Sequence, residues 1–108
     1  MSAGMPEIDE KTLLRRRWSD EGPYAVYFYT PWCGTCKIGE RMLDVVLAME
    51  PGRKIYKANV NFMPTIVPEW KIESVPALVF VAEKRVVEKL YTMRSVEHVL
   101  KRIRERLD

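Results

Sequence analysis

The chain holds two thiols, Cys33 and Cys36, set as Cys-x-x-Cys within Thr30-Pro31-Trp32-Cys33-Gly34-Thr35-Cys36-Lys37. Ahead of them, Tyr24-Ala25-Val26-Tyr27-Phe28-Tyr29 is an unbroken apolar and aromatic run, the pattern of a strand buried on both faces. Behind them, Ile38, Met42, Val45, Val46 and Met49 recur at helical spacing, so a helix begins near the pair. A helix start presents unpaired backbone N–H groups and the positive end of its dipole, and both favour a thiolate over a thiol. Lys37 adds a positive charge beside them. Cys33, just outside the helix, is the expected attacking group, and Cys36, in the first turn, is placed to resolve a mixed disulfide. The chemistry this spacing serves is thiol–disulfide exchange.

Other uses of the same pair are weaker fits. A tetrahedral zinc site needs two more soft or imidazole ligands, and the one histidine, His98, lies far along the chain in a separate helical pattern. Haem attachment requires His directly after the second cysteine, where Lys37 stands. A purely structural disulfide between residues three apart closes too small a loop to add much stability. Zinc and structural roles stay as alternatives to the redox one.

The surrounding elements must hold the pair in place. Met1 to Pro6 is expected to be a loose end, with Met5 an alternative start. Glu7 to Arg17 reads as a helix with Ile8, Leu13 and Leu14 turned inward, and Ser19-Asp20-Glu21-Gly22-Pro23 stops it. A strand over 24–29 leads into the cysteines, and the helix after them runs from Gly34 to Met49. Gly39 inside that helix is a weak point of about 1 kcal/mol relative to Ala. Glu50-Pro51-Gly52 ends it. A second strand spans Arg53 to Val60, and strand–helix–strand units of this length imply a parallel pair. Pro64 and Pro68 frame a short helix or turn with Ile66, Val67 and Trp70. Ala77–Val81 and Val86–Leu90 form a hairpin around Glu83-Lys84-Arg85. Ser95 caps a last helix whose apolar stripe is Val96, Val99, Leu100, Ile103 and Leu107. Helices on both faces of a mixed sheet make a three-layer α/β domain.

Length and composition agree with this. A chain of 108 residues is one domain, expected over 1–108, and buries roughly two thirds of its unfolded surface. Cysteines set close together argue against a secreted disulfide scaffold. No signal-peptide or membrane-span pattern is visible, so the cytoplasm is the expected compartment and no membrane partner is expected. With 18 basic against 15 acidic side chains, the net charge of +3 does not point to nucleic acid. Arg15-Arg16-Arg17 and the series Lys101, Arg102, Arg104, Arg106 read as solvated helix faces, with no aromatic interleaving.

The segment Phe28-Tyr29-Thr30-Pro31-Trp32-Cys33-Gly34-Thr35-Cys36-Lys37 resembles the active-site segment of the thioredoxin family. Ser74-Val75-Pro76-Ala77-Leu78-Val79-Phe80 is similar to the family's second diagnostic piece. The resemblance spans roughly Pro23 to Asp108. It implies the thioredoxin-like three-layer α/β/α fold with a mixed sheet of about four strands, lacking the extra first strand of fuller members. It also implies that Pro76 is cis and faces the cysteines, that Val75 offers backbone hydrogen bonds to substrate, and that Trp32 covers the redox pair and lines a substrate groove. Trp18 and Trp70 are expected in the core. The chain departs from the family at Thr35, which replaces a proline, so its N–H and hydroxyl are expected to donate toward Cys33. Arg41 also replaces a proline, and Thr92 a glycine. Tyr27 stands where a buried Asp is common, while its usual partner, Lys57, is retained and is expected to reach solvent instead.

The implied activity is thiol–disulfide oxidoreduction on protein or small-thiol disulfides. A flavoprotein reductase or a low-molecular-weight thiol would return the electrons. No metal and no organic cofactor is implied, and a monomer is expected. The alternatives are a thioredoxin-like adaptor or redox-sensing module, and a glutaredoxin-like activity on mixed disulfides.

Overall fold

Tyr24–Tyr29 form β1, whose first five residues are buried, as an apolar run without alternation requires of a central strand. In the computed structural model, which describes residues 4–19 and 21–108, β1 pairs in parallel with β2, Ile55–Asn59, and antiparallel with β3, Ala77–Ala82. The hairpin partner β4, Arg85–Leu90, completes a four-stranded mixed sheet in the order β2-β1-β3-β4. Four helices, α1 Glu10–Arg16, α2 Gly34–Met49, α3 Ile66–Glu69 and α4 Val96–Leu107, pack on it.

Strand alternation sorts side chains into two cores. Ala25, Tyr27, Ile55, Leu78 and Phe80 face α2 and α4, where Leu43, Val46, Val99 and Ile103 meet them. Val26, Phe28, Ala58, Val79 and Val81 face the other way, toward Leu13 of α1 and Ile66 and Trp70 at α3. Trp70 sets its ring edge-on to Phe28 at 6.0 Å. The sheet is therefore covered on both faces, and the three-layer expectation holds.

Several expectations change. Residues 1–3 lie outside the described residues, but the chain is anchored from Met5, which is buried. Helix α1 starts only at Glu10, because Asp9 caps it by accepting from the N–H of Thr12 at 2.8 Å. The residues before it run extended along the outer edge of β2. There Ile8 N donates to the carbonyl of Lys57 and Lys57 N to that of Pro6, each at 2.9 Å. Asn59 closes β2 by capping a short 3-10 turn, Val60–Phe62. The buried stripe of α2 is Cys36, Gly39, Leu43, Val46 and Leu47, whereas Ile38, Val45 and Met49 are exposed. Trp18 is 66% exposed rather than in the core. The arginines after α1's start are not simply solvated: Arg16 lies over Tyr24 at 4.7 Å, and Arg17 pairs with Glu69 at 2.8 Å.

Candidate active site

The strand–turn–helix order delivers both cysteines to the end of β1. Cys33 is extended (φ −98°, ψ 111°) and caps α2, its Sγ accepting from the backbone N–H of Cys36 at 3.1 Å. The two residues form a disulfide, with Cα atoms 5.1 Å apart. Thr35 Oγ1 stands 3.3 Å from Cys33 Sγ, and since a disulfide sulfur carries no proton, the hydroxyl donates. Of the two donors expected from Thr35, the hydroxyl is the one that bonds the sulfur, while the backbone donor is the N–H of Cys36. Gly34 opens the helix in free space, and Lys37 is exposed on its first turn. The pair is asymmetric: Cys36 is 1% exposed, while Cys33 is only part-buried. An incoming disulfide meets Cys33 first.

Tyr27 lies under this turn, fully buried, and donates its hydroxyl to the carbonyl of Cys36 at 2.7 Å. Burial, and secondarily the charge of Glu40, hold its phenol in the neutral form well beyond its ordinary range. Lys57, the register partner of Tyr27 across β1 and β2, is partly exposed, but its ammonium is not left to water alone. Its Nζ donates to Glu40 Oε2 at 2.8 Å, with the two side chains 27% and 28% exposed. The hydrogen bond to Glu40 raises the lysine's pKa, against the opposing effect of burial. Beside them, the Tyr29 hydroxyl donates to the Glu7 carboxylate at 2.8 Å, and burial followed by that bond pushes its pKa up to about 12. Glu40 is the polar residue that sequence reasoning passed over. Its signal was the four-residue spacing from Cys36, which puts both on one helix face.

The Val75–Pro76 peptide bond is cis, as the resemblance implies. Pro76 and Thr35 line one groove of about 320 Å³, floored by Ile38, Met42 and Met93. Val75 opens on a smaller one of about 190 Å³ with Val60, Val67 and Ile72. A larger cleft of about 440 Å³ lies around Pro6, Asp44 and Pro51 and includes neither cysteine, so size does not mark the reactive place here. Trp32 does not cover the pair: it is 93% exposed. Among the described residues, no group of three or more His, Cys, Asp or Glu side chains could hold a metal ion.

Comparison with known proteins agrees with this geometry. The thioredoxin family model matches residues 10–105. The chain is 37% identical over 102 residues to the thioredoxin-like protein YusE of Bacillus subtilis, covering 94% of this chain and 93% of that one. It is 36% identical over 82 residues to a thioredoxin of Porphyra purpurea, covering 74% and 77%. Among solved structures, the oxidised form of mitochondrial thioredoxin 3 from Saccharomyces cerevisiae shares the fold, with a TM-score of 0.76, 21% identity and 94% of each chain covered.

Proposed function

The chain belongs to the thioredoxin family and is a thiol–disulfide oxidoreductase, and from that premise we propose that it reduces disulfide bonds in proteins, with Cys33 as the attacking and Cys36 as the resolving thiol. One observation carries the assignment: Cys33 is the more accessible sulfur and receives hydrogen bonds from Cys36 N and the Thr35 hydroxyl, while Cys36 is sealed beneath it. Donors aimed at a sulfur favour its thiolate, and the thiolate is the nucleophile.

In the reduced protein, Cys33 S⁻ attacks one sulfur of the substrate disulfide. A Cys33–substrate bond forms, the substrate S–S bond breaks, and the departing thiolate takes a proton from solvent. Cys36 loses its proton and attacks Cys33 Sγ, forming the Cys33–Cys36 disulfide and releasing the second substrate thiolate. Two electrons have passed to the substrate, and a flavoprotein reductase or a low-molecular-weight thiol returns them. The substrate chain lies along Val75–Pro76, against exposed Trp32 and the groove floored by Ile38 and Met42. The sulfurs carry the whole electron transfer, without metal or organic cofactor, in a cytoplasmic protein.

Reduction of insulin disulfides driven by dithiothreitol tests the proposal. Wild type is expected to accelerate precipitation of the insulin B chain, and Cys33→Ser to give only the dithiothreitol background. Equal activity of the two proteins would refute the assignment. Brief alkylation at neutral pH is expected to label Cys33 ahead of Cys36.

A further inference from the structure

Cys36 is almost wholly shielded from water, yet it must shed a proton before it can attack. Burial in apolar surroundings favours the neutral thiol, so resolution needs an acceptor close at hand. Cys36 and Glu40 are four residues apart on α2, which places their β-carbons about 5–6 Å apart on one face. Because side chains on a helix lean toward its N-terminus, Glu40 leans toward Cys36.

The sheet beneath fixes that placement independently. Tyr27 and Lys57 are register partners on neighbouring strands. The first reaches the carbonyl of Cys36 and the second reaches the carboxylate of Glu40. Tyr27 and Tyr29 from β1 and Lys57 from β2 feel the charge of Glu40, while Glu7 from the leading segment and Asp44 on α2 act on Lys57 beside it. Lys57 is the cation within hydrogen-bond reach, and its bond to Oε2 fixes where the carboxylate stands.

We propose that Glu40 is the proton acceptor for Cys36 in the resolving step, held in place by Lys57. Starting from the Cys33–substrate mixed disulfide, the Cys36 Sγ–H bond breaks and its proton passes to the Glu40 carboxylate. The Cys36 sulfur bonds to Cys33 Sγ, the bond from Cys33 to the substrate sulfur breaks, and the substrate thiolate leaves and is protonated by solvent. Glu40, part exposed at its outer side, then returns its proton to water. No further oxidant or reductant enters.

The proposal rests on Cys36 being the resolving thiol, and one experiment separates the two claims. Reduced protein is mixed with 5,5′-dithiobis(2-nitrobenzoate), which yields one coloured thiolate when Cys33 attacks and a second when Cys36 resolves the adduct. Cys36→Ser should release one equivalent only, and release of two would overturn the role of Cys36 itself. In Glu40→Gln the rate of the second release relative to the first is expected to fall about 100-fold at neutral pH, the scale of general-base catalysis. The deficit should shrink as pH rises and hydroxide takes over. Glu40→Asp should recover part of the rate. Lys57→Gln breaks the same ion pair but keeps the base, so its second phase should stay faster than that of Glu40→Gln at neutral pH. An unchanged second phase in Glu40→Gln would overturn the proposal. So would equal slowing with the same pH profile in Glu40→Gln and Lys57→Gln, since the pair would then serve only the fold.

Discussion

A β-carbon added at Gly39 would run into the hydroxyl of Tyr27 and stand 3.1 Å from both Tyr27 Cζ and Met93 Cγ. Helix propensity alone favours Ala over Gly by about 1 kcal/mol, so the glycine looks like a defect until the tyrosine beneath it is considered. Its bare backbone leaves the slot through which the buried phenol reaches the carbonyl of Cys36. Gly39→Ala is therefore expected to destabilise the protein by about 1–3 kcal/mol, the usual cost of overpacking a rigid site. Tyr27→Phe removes the hydroxyl and leaves that carbonyl without its donor, a loss of about 1–3 kcal/mol. Together the two should cost less than their sum, because the phenylalanine makes room for the new methyl group. Urea unfolding of the four proteins measures the coupling. Additive losses, or an alanine variant as stable as wild type, would show that the slot is not needed.

Between β3 and β4 the chain turns through Glu83 and Lys84 alone, with Ala82 paired to Arg85. Both turn residues have positive φ, 54° and 66°, a conformation costing about 1–2 kcal/mol per residue where a β-carbon is present. Two-residue hairpins of this kind favour Asn-Gly. Replacing Glu83-Lys84 by Asn-Gly should raise stability by about 1 kcal/mol, or roughly 4–8 °C in Tm for a domain near this size. Calorimetry checks it, and an unchanged or lower Tm would contradict the turn assignment. The hairpin was readable from two apolar runs, but its conformation was not, since neither residue is a usual turn former. Helix α2 shows the same division. Its limits, 34 to 49, follow from Gly34 and from Glu50-Pro51-Gly52, while the face it buries does not. Ile38, Val45 and Met49 are as apolar as Leu43 and Val46, so composition cannot choose between overlapping stripes. The sheet chooses, by placing Tyr27 under Gly39. The cysteines were legible because strand, turn and helix are contiguous around them. The Lys57–Glu40 pair was not, because its members lie 17 residues apart and meet only once β2 is laid beside β1. Trp18 misled for a related reason: an aromatic after a helix predicts burial only if some element covers it.

Across the whole molecule, α4 is fastened by charge as well as by its apolar stripe. Glu88 on β4 accepts from Arg102 and Arg106. Glu50 at the end of α2 accepts from Arg53 and Arg104, and Arg53 also pairs with Asp108 at 2.6 Å. Burial works to raise the pKa of Glu88, but the bonds from Arg102 and then Arg106 outweigh it and hold the group below its ordinary value. Arg104 and then Arg53 do the same for the half-buried Glu50. A carboxyl whose folded pKa is depressed gives its full stabilisation above the unfolded value and loses it as pH falls through the folded one. Thermal melts should therefore show Tm dropping on the acid side. Glu88→Gln should cost of order 1 kcal/mol near neutrality, given that the pairs are partly solvated. The variant should converge with wild type in acid, and a constant gap at every pH would rule the linkage out. The strip of chain from Pro6 to Ile8 has a consequence of another kind. An unpaired strand edge is a template on which a second molecule can add its own strand. Here the outer side of β2 already carries a partner, hydrogen-bonded through both backbone groups of Lys57 in the middle of that edge. The strip from Pro6 to Ile8 thus works as a selvage: it finishes the cloth at Lys57, where the edge would otherwise lie open to a neighbouring molecule's stitching.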